Sequence, residues 1–314
     1  MTIKRRGLVK TSTRAFYQEA KKVENYSFYD FLHGYLYSKW PYLYIGVGTG
    51  EHKLNRFLAP LFLFLTSVFS PAKEGEPEDS KLAFANSYHG KVIQIEEAKR
   101  LVSIKEEIEI RNIEKVIPFT RAKDIIMKNP EHIIALDCPC RLSRENPCNP
   151  VDVCLVVGDP FASFILEHQP EKSRLISSEE AISILEAEHE RGHVSHAYFK
   201  DAMLNRFYAI CNCCSCCCAA FQAQRNGTPM IITSGYTAFV NGELCEGCSI
   251  CSQFCQFDAI AIINQKAVID SEFCYGCGVC VDKCEQKAIV LNLDPAKGIP
   301  LEINKLMEEA LVVN

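Results

Sequence analysis

The sequence predicts a mixed α/β, cysteine-rich domain over residues 81–235, followed by a smaller domain over residues 236–294. Three observations lead there. Strand-like and helix-like hydrophobic periods alternate through the first stretch. The second stretch is built from an internal repeat that starts at Cys245 and again at Cys274. All 18 cysteines of the 314-residue chain lie beyond residue 137. With 48% hydrophobic and 23% charged residues the composition is ordinary for a globular protein, which excludes wholesale disorder, a collagen-like repeat and a pure coiled coil.

Residues 1–80 read as a basic, aromatic-rich arm. Residues 1–60 hold ten Lys/Arg and four Asp/Glu, a balance of +6, which leaves −11 for the rest of a chain whose total is −5. Such an arm suits a membrane surface, an acidic partner or the acidic body itself. Nucleic acid is not an expected partner, because the aromatics between Phe16 and Tyr44 suit a packed or interfacial segment. The apolar run Phe57–Phe69, as a helix, reaches only ~21 Å against a ~30 Å bilayer core. It is expected to be a buried helix or a partner contact, with a peripheral membrane contact through residues 16–69 as the alternative. Residues 71–80 have linker composition. The basic stretch Met1–Arg14 leads into no signal-like apolar segment, so a cytoplasmic protein is expected, at most associated with the cytoplasmic face of a membrane.

Within residues 81–235, Lys91–Ile95 alternates like a strand and Glu96–Val102 like a short helix. Phe119–Lys128 reads as an amphipathic helix stopping before Pro130. His132–Asp137 is a strand running into Cys138, and Cys154–Gly158 is another, with Asp159-Pro160 opening a helix over Phe161–His168. Ser177 and Glu180 form a capping box for a helix that Gly192 closes. Arg206–Ile210 is a strand running into Cys211. Open α/β sheets place ligand sites at the carboxyl ends of strands, so parallel neighbours here would bring two cysteine groups together. Residues 295–314 contain an amphipathic stretch, Leu301–Val312, expected to dock on the body.

The strongest signal is Cys245-x-x-Cys248-x-x-Cys251-x-x-x-Cys255, repeated as Cys274-x-x-Cys277-x-x-Cys280-x-x-x-Cys284. The repeat extends to Gly247 over Gly276 and to Ala259-Ile260 over Ala288-Ile289. Thiolates at this spacing wrap one face of a cubane cluster, and the fourth cysteine of each run reaches the other cluster. Residues 240–291 thus resemble a bacterial-type ferredoxin domain. The resemblance implies a small α+β fold of two pseudo-symmetric ββ units with two [4Fe-4S] clusters. One would sit on Cys245, Cys248, Cys251 and Cys284, the other on Cys274, Cys277, Cys280 and Cys255. The family's proline after each fourth cysteine is replaced by Gln256 and Glu285.

Ten cysteines remain: Cys138, Cys140, Cys148, Cys154, Cys211, Cys213, Cys214, Cys216, Cys217 and Cys218. Residues i and i+2 of an extended segment point the same way, so Cys138/Cys140 and Cys211/Cys213 could form a four-thiolate site, with Cys148 and Cys154 as alternative ligands. Crowded thiolates need a cation, so a further [4Fe-4S] cluster or other metal centre is expected among the ten, with buried free thiols for the remainder. The arrangement resembles the ferredoxin-tailed iron–sulfur proteins of anaerobes that carry a cysteine-rich front domain. His189, His193 and His196 are read as satisfied histidines before metal ligands or proton shuttles. Arg141 and Arg144 would hold an anion, offset cluster charge or form salt bridges. No P-loop, G-x-G-x-x-G or G-x-S-x-G is present, so neither nucleotide binding nor serine hydrolysis is predicted. The expected function is electron transfer with a redox protein partner. A disulfide or thiol reductase and a membrane-peripheral adaptor are the competing expectations, and self-association is a further option.

Overall fold

The computed structural model describes residues 9–53, 55, 57, 60, 79–119 and 123–313. Apart from Phe57 and Pro60, the apolar run 57–69 lies outside the described residues, as does the linker 71–80 apart from Asp79 and Ser80. Among the described residues no helix is long and apolar enough to cross a membrane.

The body is an eight-stranded sheet of strands β1 (Tyr88–Val92), β2 (Ile108–Ile110), β3 (Ile125–Leu136), β4 (Cys154–Asp159), β5 (Ser173–Ile176), β6 (Val194–Lys200), β7 (Arg206–Cys213) and β8 (Ile231–Ile232). Their order is β2-β3-β4-β7-β6-β1-β8, with β5 also paired to β3. Every pairing is antiparallel except β1 with β8. The expected convergence of two strand ends is therefore reached by another route. Strands β3 and β7 run parallel to one another, but β4 lies between them in the opposite sense. Its first residue, Cys154, pairs with Leu136 on one side and Cys211 on the other. Three chain segments thus bring cysteine to one end of the sheet.

Two core clusters cover its two faces. One includes Ile133, Leu155, Phe199 and Leu185; the other includes Val156, Phe164, Tyr208 and Phe221. No strand signal marks Val194–Lys200 in the sequence. All seven of its residues are buried, so it lacks the alternation that marks a half-exposed strand. The predicted helix over Phe119–Lys128 is corrected. Residues 125–128 open β3, where Ile125–Met127 pair with β2. Pro130 does not stop a helix. It lies in a register shift between Lys128 and Ile133, where a residue without an N–H is tolerated. The first strand spans Tyr88–Val92 rather than Lys91–Ile95, because Ile95 already begins the helix Ile95–Val102. Helices Phe161–His168 and Ser178–Glu190 stand where predicted, the second capped by the Ser177 hydroxyl accepting from the Glu180 amide.

Helices α1 (Thr11–Ala20), α2 (Phe28–Lys39) and α3 (Pro41–Gly48) pack on the sheet, with Phe16 fully buried against Phe161 and Phe164. Phe28, Tyr29 and Trp40 face outward. Beyond the body, β9 (Tyr236–Val240) pairs with β12 (Ile289–Leu293) and β10 (Ile260–Ile263) with β11 (Lys266–Ile269), each pair joined to one short helix, Ile250–Phe254 or Val279–Asp282. This repeat packs on the body through Phe254, Phe257, Tyr275 and Val279. The helix Ile303–Val313 docks through Leu306, with its first amide donating to Glu97.

Candidate metal centres

The C-terminal repeat forms two small chambers. One is walled by Cys245, Cys248, Cys251 and Cys284 together with Gly247, Ala267 and Ala288. The other is walled by Cys255, Cys274, Cys277 and Cys280 together with Ala238, Ala259 and Gly276. Each run of four cysteines therefore gives three to one chamber and its fourth to the other. Four sulfurs accept a backbone amide each: Cys245 from Ala267 (3.4 Å), Cys255 from Ala259 (3.3 Å), Cys274 from Ala238 (3.5 Å) and Cys284 from Ala288 (3.3 Å). The amides of Ala267 and Gly247 hold the Cys245 thiol below its usual value, whereas burial pushes Cys277 up to about 12. Gly247 and Gly276 adopt φ of +70° and +65°, and a Cβ on either would come within 2.2 Å of a backbone oxygen, Gln265 O or Tyr236 O. The donor set, the aimed amides and the glycine turns all fit a thiolate-bound cluster.

The ten other cysteines sort into three groups. Cys148, Cys214, Cys216 and Cys217 bring their sulfurs within 4.8 Å of one another. Cys138, Cys140, Cys213 and Cys218 share the wall of one cavity, where neighbouring Cys140 and Cys213 lower the Cys218 thiol and Cys140 lowers Cys138. The Tyr198 hydroxyl lies 3.8 Å from Cys213 Sγ and 3.9 Å from Cys218 Sγ. Cys154 and Cys211, opposite one another in β4 and β7, place their sulfurs 3.3 Å apart. Of the four thiols expected together, Cys211 faces Cys154 because the two are paired across β4 and β7, and the turn after Cys213 brings Cys218 round to the other three.

A cavity of about 230 Å³ lies beneath α2 and α3. Its wall includes Cys138, Cys140, Cys154, Cys211, Cys213, Cys214, Cys217 and Cys218, with Tyr37, Tyr88, Tyr198 and Tyr208. Tyr37, Tyr88 and Tyr208 form a closed ring of hydroxyls at 2.8, 3.1 and 3.3 Å, and burial pushes all three phenols well up, so they stay protonated. This trio was not legible in the sequence, because its members come from three separate elements.

Arg141 is a clamp rather than a substrate holder. It is 1% exposed and donates to Glu188, to Pro150 O and, at 3.3 Å, to Asn212 O, tying the Cys138–Cys140 segment to β7. Burial would raise the Glu188 carboxyl, but hydrogen bonds from His193 and Arg141 outweigh it and hold the group below its usual range. Arg144 reaches Glu51 and, at 3.2 Å, Cys217 O. His189 meets Asp282 of the repeat at 2.7 Å, and His193 meets Glu188 at 2.6 Å. His196 is buried in β6, its Nδ1 on Val194 O at 3.0 Å.

No curated protein matches the chain. A family model described as a 4Fe-4S dicluster domain matches residues 237–285, which supports a ferredoxin-like domain with at least one [4Fe-4S] cluster at the C-terminus, behind a cysteine-rich region.

Proposed function

We propose that the chain is an iron–sulfur electron-transfer protein, in which two [4Fe-4S] clusters pass single electrons between a redox protein partner and a further iron–sulfur or other metal centre in the cysteine-rich domain. The observation that carries this reading is the pair of chambers, each walled by one crossed quartet of cysteines. Cys245, Cys248, Cys251 and Cys284 hold one cluster; Cys274, Cys277, Cys280 and Cys255 hold the other. The amides of Ala238, Ala259, Ala267 and Ala288 offset thiolate charge, the usual means by which a protein tunes such a site. Side chains also give the path a direction. Tyr275, between two ligands of the second chamber, stacks on Phe257 with centroids 4.2 Å apart. Phe257 meets Phe221 at 4.9 Å, on the helix that starts just after Cys218. The second chamber is therefore the inner one, and Cys248, exposed on the first, marks the side a partner would approach. Anaerobic purification with iron quantification tests the reading. About eight irons bound by the repeat are expected, and about four or fewer would end it.

A reductase of disulfide or thiol type is the second reading, favoured by the Cys154–Cys211 pair on the wall of the cavity. A disulfide substrate would take two electrons and two protons and leave as two thiols. Under this reading Cys211→Ser abolishes turnover of a small disulfide while iron content stays unchanged; unaltered turnover rejects it.

A further inference from the structure

The quartet Cys148, Cys214, Cys216 and Cys217 differs in kind from the two quartets of the repeat. Its sulfur separations are 3.2 Å (Cys148–Cys216), 3.5 Å (Cys148–Cys217), 3.7 Å (Cys216–Cys217) and 3.8 Å (Cys148–Cys214). Four thiolates placed tetrahedrally about one ion, each at about 2.3 Å, stand about 3.8 Å from one another. A cubane interposes four irons between its thiolates and must hold them farther apart. Among the described residues, the eight cysteines of the repeat form no group of three sulfurs within 4.8 Å, whereas this quartet does.

We propose that Cys148, Cys214, Cys216 and Cys217 bind a single tetrahedral metal ion of the thiolate-preferring class, zinc or iron, as a site separate from the clusters of the repeat. The backbone is built for it. Cys214–Cys218 is one tight turn, closed by the Cys218 amide donating to Cys214 O at 3.1 Å, so three of four consecutive residues present sulfur to one point. Cys148 arrives from the loop after the helix Pro139–Leu142. Four thiolates and a divalent ion leave a net charge of −2. Two guanidiniums stand on the same turn, Arg144 at Cys217 O (3.2 Å) and Arg225 at Ser215 O (3.0 Å). With four protein ligands the site is closed, as in structural or electron-carrying centres, and leaves no open position for a substrate.

The position gives the ion a task. The Ser215 amide, inside the turn, donates at 2.8 Å to Gln256 Oε1, and Gln256 follows Cys255 where the ferredoxin family has proline. The ion fixes the turn on which the inner face of the repeat rests. The inference deepens the further metal centre of the proposed function and would survive loss of the electron-transfer reading, because it concerns four other ligands.

The test uses the full chain, purified anaerobically, with zinc and iron quantified beside Cys216→Ser and Cys148→Ser. Each variant should lose one ion per chain, zinc or iron, while the EPR signals of the reduced repeat persist. Loss of no metal, or of about four irons as a cubane requires, overturns the proposal. Should a variant fail to fold by circular dichroism, the wild-type chain decides. One zinc with four sulfur neighbours by X-ray absorption, or a mononuclear high-spin ferric EPR signal after oxidation, supports the site; a wild-type chain with neither overturns it.

Discussion

In the repeat, every cysteine of a quartet lies within 39 positions of its partners, and three of each four follow one another at three-position steps. In the body, Cys148 meets Cys214 across 66 positions, on a scaffold already held by two large apolar clusters. The cores differ accordingly. That of the repeat is made of Ala238, Ala259, Ala267, Ala288, Ile289 and four of the cysteines, side chains too small to offset the entropy of ordering the chain. The body buries Phe16, Phe161, Phe164, Phe199, Phe207 and many aliphatics. The core of the repeat consists largely of its own cysteines and small residues, whereas the body holds a large apolar core of its own.

The largest effect that would break this contrast is metal removal. Stripping iron should unfold residues 236–294 and leave the body's sheet intact, read as amide exchange rising only in the repeat; equal protection in both regions would contradict it. Next is the clamp of the body. Arg141→Ala leaves the buried Glu188 with only Arg191 and His193 as partners and should cost about 3 kcal/mol in denaturant unfolding, with the iron of the repeat unchanged. Smaller, and shared by the two halves of the repeat, is the strain of a side chain at Gly247 or Gly276. Either change to Ala should lower stability by about 1–3 kcal/mol, whereas Gly48→Ala, with nothing within 4 Å, should cost nothing measurable. Glu188 adds a pH dependence. Its carboxyl sits below the ordinary 4.5, so its contribution is complete above that value and lost as pH falls through the folded-state value. An acid titration of stability should therefore be flatter in Glu188→Gln. The smallest effect concerns the exposed aromatics. Trp40→Ser should weaken flotation with anionic vesicles if residues 16–69 meet a membrane, and unchanged flotation removes that contact.

Legibility follows the same division. The two crossed quartets that the ferredoxin resemblance implies are those that wall the two chambers, because most of each quartet comes from one short run of the chain. The body's elements were legible where local rules act, as at Ser177 and along Phe161–His168. They were hidden where tertiary burial overrides period: Val194–Lys200 is covered on both faces, and Pro130 sits in a strand irregularity. The groups Cys148/Cys214/Cys216/Cys217 and Cys154/Cys211 depend on β4 lying between β3 and β7, a strand order that residue spacing does not encode. Arg141 could be seen to lie near cysteine, but its partner Glu188 is 47 residues away on another helix.

The proposed electron path needs a cluster in both quartets of the repeat, and EPR of the anaerobically reduced full chain decides it. Signals integrating to about two spins per chain are expected, with the mutual broadening of two neighbouring [4Fe-4S] clusters, and about one spin after Cys277→Ser. A wild-type spectrum holding one isolated cluster, or none, would contradict it.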